Sequence, residues 1–332
     1  MQYTRLGNTG MMVSRLALGT MTFGDKLDQA ACQRITDEAI ERGVNLIDTA
    51  DVYGQSEALL GKVLKANGKR DRVFLCTKVH KRHSHGEKLG RLSRINILSA
   101  VDHSLRMLQV DHVDMFQLHH PDPETPVDET VMALDSVVKA GKTRYVGFSN
   151  HYAWQMAYTN AVAQRLRAEP LVSVQSAYNM LHRVLEVEMF PFVRKFNFGL
   201  MVYHPLGGGT LARQYDSGHA VETKGRPSEF KARLDKNGSD VFYRILDGLH
   251  AVARAQGLPI HQLAMLWLLA KPLISAVLLG GSKPEHFSTM YEIADKSLDP
   301  AVVKQLDDLT DPAIYVPYQN QPHTTAPGMA RA

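Results

Sequence analysis

Short apolar runs that break abruptly into polar residues recur along this chain, with helix-length stretches of mixed polarity between them. The pattern is clearest in Asn45-Leu46-Ile47-Asp48-Thr49-Ala50-Asp51-Val52-Tyr53-Gly54, where an apolar start gives way to carboxylates, a tyrosine and a glycine. A buried strand reads this way when it emerges at a functional rim. Val73-Phe74-Leu75-Cys76-Thr77 runs into Lys78 in the same manner, and Val113-Asp114-Met115-Phe116-Gln117-Leu118 runs into His119. Taken singly, Asp48 reads as a helix N-cap, Tyr53 as a half-buried packing residue, Lys78 as a snorkelling surface group and His119 as a satisfied rim residue. Together they sit at the carboxyl ends of three successive strands. In a parallel barrel those ends converge on one mouth.

The rest of the pattern predicts alternating strands and helices. Gly7-Asn8-Thr9-Gly10 supplies turn chemistry for a hairpin over residues 1–13, and residues 16–20 form the first barrel strand. A helix is expected over 28–42, with Ala31, Ile35, Ala39 and Ile40 on one face and Gly43 as its C-cap. Further helices are expected over 56–65 with Ser56 as N-cap, over 97–108, and over 127–140 between Pro126 and Gly141. Strands follow at 145–148, 172–175, 199–203 and 276–279. Late helices are expected at 241–256, 260–270, 284–295 and 300–309. Residues 205–240 form a long irregular segment rich in Gly, Lys, Arg and Asp, which reads as functional or mobile. The tail over 311–332, with its prolines, reads as extended. No repeat of 20–50 residues is visible beyond the β/α alternation.

Composition narrows the class. A chain of 332 residues with 44% hydrophobic residues fits one α/β barrel domain with insertions. No apolar run is long enough to span a bilayer, and the first residues lack a signal-peptide apolar core, so a cytoplasmic protein with no membrane partner is expected. Two cysteines, Cys32 and Cys76, give neither a disulfide framework nor a CxxC motif. A formal charge of +4 is too small to argue for nucleic acid, though it suits anionic small ligands.

At this point the segments IDTADVYG (47–54), LCTKV (75–79), DMFQLHHPD (114–122), KTRYVGFSN (142–150), SVQSAYNML (173–181), VYHPLGGGTL (202–211) and VLLGGSKPEH (277–286) matter as a series. In order and spacing they resemble the aldo-keto reductases over nearly the whole chain. The resemblance implies a (β/α)₈ TIM barrel with an N-terminal β-hairpin closing its base and extra C-terminal helices. It also implies a nicotinamide cofactor and a catalytic tetrad of Asp48, Tyr53, Lys78 and His119.

The tetrad makes chemical sense. Reducing a carbonyl needs a hydride on carbon and a proton on oxygen. No side chain donates hydride, so a cofactor must. Tyr53 can give the proton if the neighbouring Lys78 ammonium lowers its pKa from about 10, with Asp48 holding that ammonium charged. His119 can then hydrogen-bond the carbonyl oxygen and select the reactive pose.

The cofactor residues follow from the resemblance. Gly19, Thr20 and Met21 follow the first strand. Ser149, Asn150 and Gln175 match positions that bind the nicotinamide carboxamide. Tyr203 matches the aromatic that stacks on the ring, although a core role at the barrel top fits it as well. Pro205, Leu206, Gly207, Gly209 and Leu211 belong to a segment whose backbone N–H groups would approach a pyrophosphate, and a flexible turn is the plainer alternative. Gly280, Ser282, Lys283, His286 and Met290 match the adenosine-phosphate segment. There the chain departs from the family. Ser282 stands where a basic or amide residue is frequent, His286 where Arg or Gln is common, and Met290 in place of a frequent Asn. NADP is the expected cofactor, with NAD as the alternative. No GxGxxG follows the first strand, so a Rossmann site is not indicated.

His80, His83 and His85 space as HxxHxH. Three imidazoles could bind zinc, but the loop is dense with Lys and Arg, so a substrate-loop face is expected and no metal. The functional expectation is an NAD(P)-dependent oxidoreductase acting on small aldehydes, ketones or sugar-like alcohols. The alternatives are an NAD-linked dehydrogenase working oxidatively and a cofactor-sensing binding subunit, as in the channel-associated members of the family.

Overall fold

The computed structural model describes residues 1–80, 90–212 and 239–311. Strands β1 (Tyr3–Arg5) and β2 (Met12–Ser14) form an antiparallel hairpin, with Tyr3 opposite Ser14 and Arg5 opposite Met12. Eight parallel strands follow: β3 (Leu16–Gly19), β4 (Leu46–Asp48), β5 (Phe74–Val79), β6 (Val113–Leu118), β7 (Thr143–Ser149), β8 (Leu171–Ala177), β9 (Gly199–Tyr203) and β10 (Ala276–Leu279). They pair in chain order, and β10 pairs with both β9 and β3, so the sheet closes without an edge. Around it lie α1 (Gln29–Glu41), α2 (Ser56–Asn67), α3 (Arg94–Leu108), α4 (Val127–Lys139), α5 (Ala153–Leu166), α6 (Met189–Phe196), α7 (Ser239–Ala255), α8 (Ile260–Leu269), α9 (Glu285–Tyr291) and α10 (Pro300–Leu309). This is the (β/α)₈ barrel that the resemblance implies, and the alternation of strands and helices runs as expected.

Period-2 alternation decides what fills the barrel and what faces its mouth. Ala17, Leu46, Cys76, Met115, Met201, Ala276 and Leu278 form one buried cluster inside the barrel. Leu18, Ile47, Leu75, Phe116, Phe148, Val202 and Leu279 belong to a second, larger cluster shared with the helices. Moving two residues along a strand from the inner cluster therefore reaches the inner face one layer higher. Leu46 leads to Asp48, Cys76 to Lys78, Met115 to Gln117 and Met201 to Tyr203. The inner lining is apolar at the base and polar at the rim.

The hairpin plugs the base. Leu6, Met11 and Val13 are almost fully buried within the inner cluster. Burying three such side chains contributes roughly 4–9 kcal/mol, and two three-residue strands would not persist alone. Gly7 (φ +55°) lies so close to β9 that a Cβ there would sit 2.2 Å from the Gly199 nitrogen. Asn45 ties the hairpin to β4: its carboxamide accepts from Ser14 N (2.7 Å) and donates to Met12 O (2.8 Å).

The helix ends hold two kinds of result. Asp28 caps α1 by accepting from Ala31 N, and Gly43 takes the left-handed turn (φ +89°) just beyond its C-cap Arg42. Ser56 is not the cap of α2. The cap position is Gln55, without a side-chain bond, while the buried Ser56 hydroxyl turns inward onto the barrel. Helices α5 and α6 go beyond the sequence expectation, and α9 ends at Tyr291, short of the 284–295 expected. Residues 213–238 of the long segment, the loop over 81–89 with His83 and His85, and the tail from 312 lie outside the described residues. No helix among the described residues is long and apolar enough to cross a membrane.

Candidate active site

The β4 and β5 ends bring three tetrad members into one hydrogen-bonded chain. Lys78 is fully buried, and its ammonium donates to Asp48 Oδ2 (2.5 Å), Thr49 O (2.8 Å) and Tyr53 Oη (3.4 Å). All three of its N–H donors are thereby directed. The other oxygen of Asp48 accepts from Gln175 Nε2 (2.8 Å) and Gln117 Nε2 (3.3 Å). A buried carboxylate so paired is satisfied rather than stranded. Burial alone would depress the Lys78 ammonium. Asp48 and Tyr53 outweigh it and raise its pKa to about 12, so the lysine stays charged.

Tyr53 departs from the sequence expectation. Burial raises the phenol above its ordinary value. Lys78 opposes that shift, while Asp48 and Asp51 add to it. Lys78 thus acts in the expected direction, but the net shift is upward, because desolvation disfavours phenolate more than the ammonium favours it. At neutral pH the hydroxyl stays protonated, which is the form a proton donor needs.

His119 follows β6, with its N–H on Val79 O (3.1 Å). Its ring stands edge-on to Tyr53, with centroids 5.8 Å apart. Burial, then Lys78, His120 and His80, push its pKa down to about 2, so the imidazole is neutral. His151, its ring 5.0 Å from that of Phe148, is held near 4 chiefly by burial. Both histidines therefore have folded pKa values below the unfolded value of about 6.5. As pH falls below about 6.5 the unfolded chain takes up protons that the fold refuses, so stability is lost toward acid. Each such histidine contributes a slope of about 1.4 kcal/mol per pH unit once pH is well below 6.5. Urea unfolding between pH 6 and pH 4.5 is expected to show a shallower loss of stability in His151→Asn than in the wild type, by about one proton's worth. Equal slopes would mean that His151 titrates in the folded protein.

A buried hydroxyl cluster braces this end of the barrel. Ser56 Oγ donates to Thr20 O (2.8 Å) and lies 2.7 Å from Thr20 Oγ1 and 2.9 Å from Thr49 Oγ1. Thr20 Oγ1 in turn donates to Asp48 O (2.9 Å). The Ser56 amide donates to Tyr53 O (3.0 Å), so one residue ties β3, β4 and the tyrosine turn together.

Of the expected cofactor residues, Ser149, Asn150, Gln175 and Tyr203 come together on neighbouring strand ends. Tyr203 Oη donates to Asn150 Oδ1 (2.6 Å), and Asn150 Nδ2 donates to His119 O and Ser149 Oγ (3.0 Å each). The Gln175 amide nitrogen is taken by Asp48, so toward a ligand it offers its oxygen. Gly207, Gly208 and Gly209 all have positive φ, and nothing lies within 4 Å of a Cβ placed on Gly209. A backbone of that conformation, open on one side, needs glycine and lets a ligand approach closely.

Other positions are constrained differently. Gly19 has a packing reason, since a Cβ there would meet Leu279 O at 2.7 Å. Thr20 is fully buried in the hydroxyl cluster, and Met21 is exposed. Lys283 and His286 are exposed at the end of β10, and Ser282 N donates to His286 Nδ1 (3.3 Å). Met290 turns into the core, 6% exposed, so its side chain does not reach that surface.

Sequence reasoning passed over Gln117, His120 and Asp51. Gln117 could have been found by counting two residues on from the inward Met115. Asp51 accepts the His80 N–H with both carboxylate oxygens (3.0 and 3.2 Å), a contact between loops that no local signal gives. Among the described residues no cluster of three or more His, Cys, Asp or Glu has metal-binding geometry.

The comparisons agree with this architecture. The uncharacterized oxidoreductase YrpG of Bacillus subtilis is 32% identical over 322 residues, covering 93% of this chain and 96% of the relative. The aldo-keto reductase YhdN of the same organism is 30% identical over 324 residues, covering 96% of each. A probable voltage-gated potassium channel subunit beta of rice (Oryza sativa subsp. japonica) is 31% identical over 315 residues, covering 92% of this chain and 96% of the relative. The model of the Aldo/keto reductase family matches residues 15–311, and the chain belongs to that family.

Proposed function

We propose that this protein is an NAD(P)-dependent oxidoreductase that interconverts an aldehyde or ketone with its alcohol, with Tyr53 as the proton donor. The observation that carries the reading is the buried Asp48–Lys78–Tyr53 chain at the barrel mouth, with the neutral His119 ring beside it. A bound nicotinamide would supply or accept the hydride. The protein's part is to move the proton and stabilise charge. Tyr53 stays protonated until a carbonyl oxygen gains negative charge. It then gives up its proton, and Lys78, fixed by Asp48, stabilises the phenolate that remains. The neutral His119 can donate a hydrogen bond to the same oxygen. In the oxidative direction the phenolate takes the proton back.

The residues present suit a dinucleotide. The Ser149 hydroxyl as donor and the Gln175 carbonyl oxygen as acceptor, with Asn150 bracing Ser149 and the Tyr203 ring, suit a carboxamide. The glycines over 207–209 provide open backbone for a pyrophosphate. At the adenosine end the Lys283 side chain is the group placed to meet a phosphate, because α9 has only seven residues and adds little dipole. A charge-assisted hydrogen bond from Lys283 to a 2′-phosphate contributes roughly 1.5–3 kcal/mol, about one to two decades of affinity. NADPH is therefore expected to bind more tightly than NADH.

The experiment is a panel of aldehydes, ketones and sugars assayed with both dinucleotides, alongside dissociation constants for wild type and Lys283→Ala. The substitution should weaken NADPH and leave NADH unchanged. Equal weakening of both would remove the phosphate assignment. The likeness to the rice protein named as a channel subunit favours one second reading, a cofactor-sensing binding subunit. Its mark would be tight dinucleotide binding with no turnover on any member of the panel.

A further inference from the structure

His119 is fixed through its backbone but not through its ring. Its amide donates to Val79 O and its carbonyl accepts from Asn150. Ring nitrogen Nδ1 is buried and has no hydrogen-bond partner among the described residues. A histidine whose orientation matters ordinarily uses its second nitrogen on a fixed acceptor, which sets both tautomer and tilt. Here that device is missing, and aromatic contacts surround the ring instead. His120 lies parallel to it, with centroids 4.8 Å apart and planes 15° apart. His80 stands edge-on to both, 5.7 Å from His119 and 4.8 Å from His120. The His80 backbone amide donates to Asp51, from the turn that carries Tyr53, which fixes where the His80 ring starts from.

We propose that His120 is a positioning residue for His119, fixing the angle of the imidazole by stacking on it while His80 limits its sideways swing. The inference rests on the oxidoreductase reading above and adds to it how the hydrogen-bonding histidine is aimed. With Nδ1 buried and unpartnered, the tautomer carrying its proton on Nε2 is the cheaper one, because it strands an acceptor rather than an N–H. Nε2 is then the nitrogen left to meet a carbonyl oxygen, and its direction follows the plane of the stack. His120 is exposed, whereas His119 is 7% exposed, an arrangement in which the stacked outer ring would keep water from the inner one.

The electrostatic surroundings fit a stack of neutral rings. Among the described residues, the titratable and charged groups that bear on it are Lys78 on β5, Tyr53 in the turn after β4, His80, Arg91 ahead of α3 and His151 after β7. Burial is the first cause that lowers the pKa of His119 and of His120. Lys78 and the neighbouring histidines add to it for both, and Arg91 for His120.

The test compares His120→Phe, which keeps a ring, with His120→Ala, which does not. His120→Ala is expected to lose roughly tenfold in kcat for carbonyl reduction, the scale of one aromatic pair contact. Its dinucleotide dissociation constant should be unchanged, and a new fall in rate should enter on the acid side as His119 becomes hydrated. His120→Phe should restore kcat and abolish that acid limb. A structural readout runs in parallel: histidine ring ¹⁵N shifts in the full-length protein should report a single Nε2–H tautomer for His119 in wild type and His120→Phe, and a tautomer mixture in His120→Ala. If the alanine variant does not fold, His120→Leu, bulky but without a ring, takes its place with the same expectations. An alanine or leucine variant with wild-type kcat and His119 shifts overturns the proposal. So does a folded His120→Phe that is as slow as the alanine variant, because the imidazole nitrogens rather than the ring would then matter. A wild type that turns over no carbonyl would remove the oxidoreductase reading, and the ¹⁵N shifts would still decide the stacking.

Discussion

Tyr53→Phe is expected to bind dinucleotide normally and to lose turnover by roughly 10²–10⁴-fold, the usual contribution of a positioned general acid. The substitution keeps the ring that meets His119 edge-on and removes only the hydroxyl that Lys78 approaches at 3.4 Å. Fold and cofactor site should therefore survive, and the defect should fall on kcat rather than on the cofactor dissociation constant. The Tyr53 phenol, raised above its ordinary value chiefly by burial, carries its proton throughout the neutral range, so the acid is in place before a carbonyl arrives and Lys78 must offset the cost of forming phenolate. The measurement is kcat for the best carbonyl of the panel, with cofactor affinity determined in parallel. Near-normal turnover would mean that the proton reaches the substrate from another group.

Lys78→Met should fail in two ways that can be separated. The lysine is wholly buried and its partner Asp48 nearly so, and removing one member of a buried pair leaves an uncompensated charge. The expected cost is about 3–5 kcal/mol of stability, read from urea unfolding at pH 7. Activity should fall strongly as well, and any residual rate should follow a higher pKa than in the wild type, because Lys78 is the group that opposes the upward shift of Tyr53. Lys78→Met combined with Asp48→Asn neutralises both partners. It should regain much of the stability and none of the activity. Asp48→Asn alone should be milder than Lys78→Met. If the double variant recovered turnover together with stability, the ammonium would have only a structural role. An unchanged pH profile in Lys78→Met would also remove it from the proton-transfer machinery.

Much of this site could be read from the sequence because strands impose a two-residue period. Once Leu46-Ile47-Asp48 is recognised as a strand end, the inward face of Asp48 follows from the inward face of Leu46, and the same holds for Cys76 and Lys78. What could not be read depends on burial and on contacts between distant segments. The direction of the Tyr53 pKa is set by a contest between desolvation and Lys78, and no residue pattern gives the depth of burial. Ser56 has the residue type and position of an N-cap, yet its hydroxyl is claimed by Thr20 and Thr49 across the barrel end. Met290 falls in a motif register for adenosine contact, but its side chain packs into the core. Helix α5 carries Trp154 and Tyr158 on its exposed face, 62% and 54% accessible, which blurs the apolar stripe that marks a helix. Helix α6 has only eight residues and includes Pro191, so its pattern is too short to stand out.

The closure of the barrel has a consequence for how the protein must be made. β3 is completed by β10, and the hairpin turn at Gly7 seats against Gly199 at the start of β9. A ribosome adding roughly 5–20 residues per second emits the first strand long before the strand that completes it. During that interval the nascent sheet has two unpaired edges and a base plug with no finished socket, the condition in which chains aggregate or recruit chaperones. A transcript or protein cut anywhere before β10 therefore yields no smaller version of the fold, only a sheet whose two ends have nothing to close against.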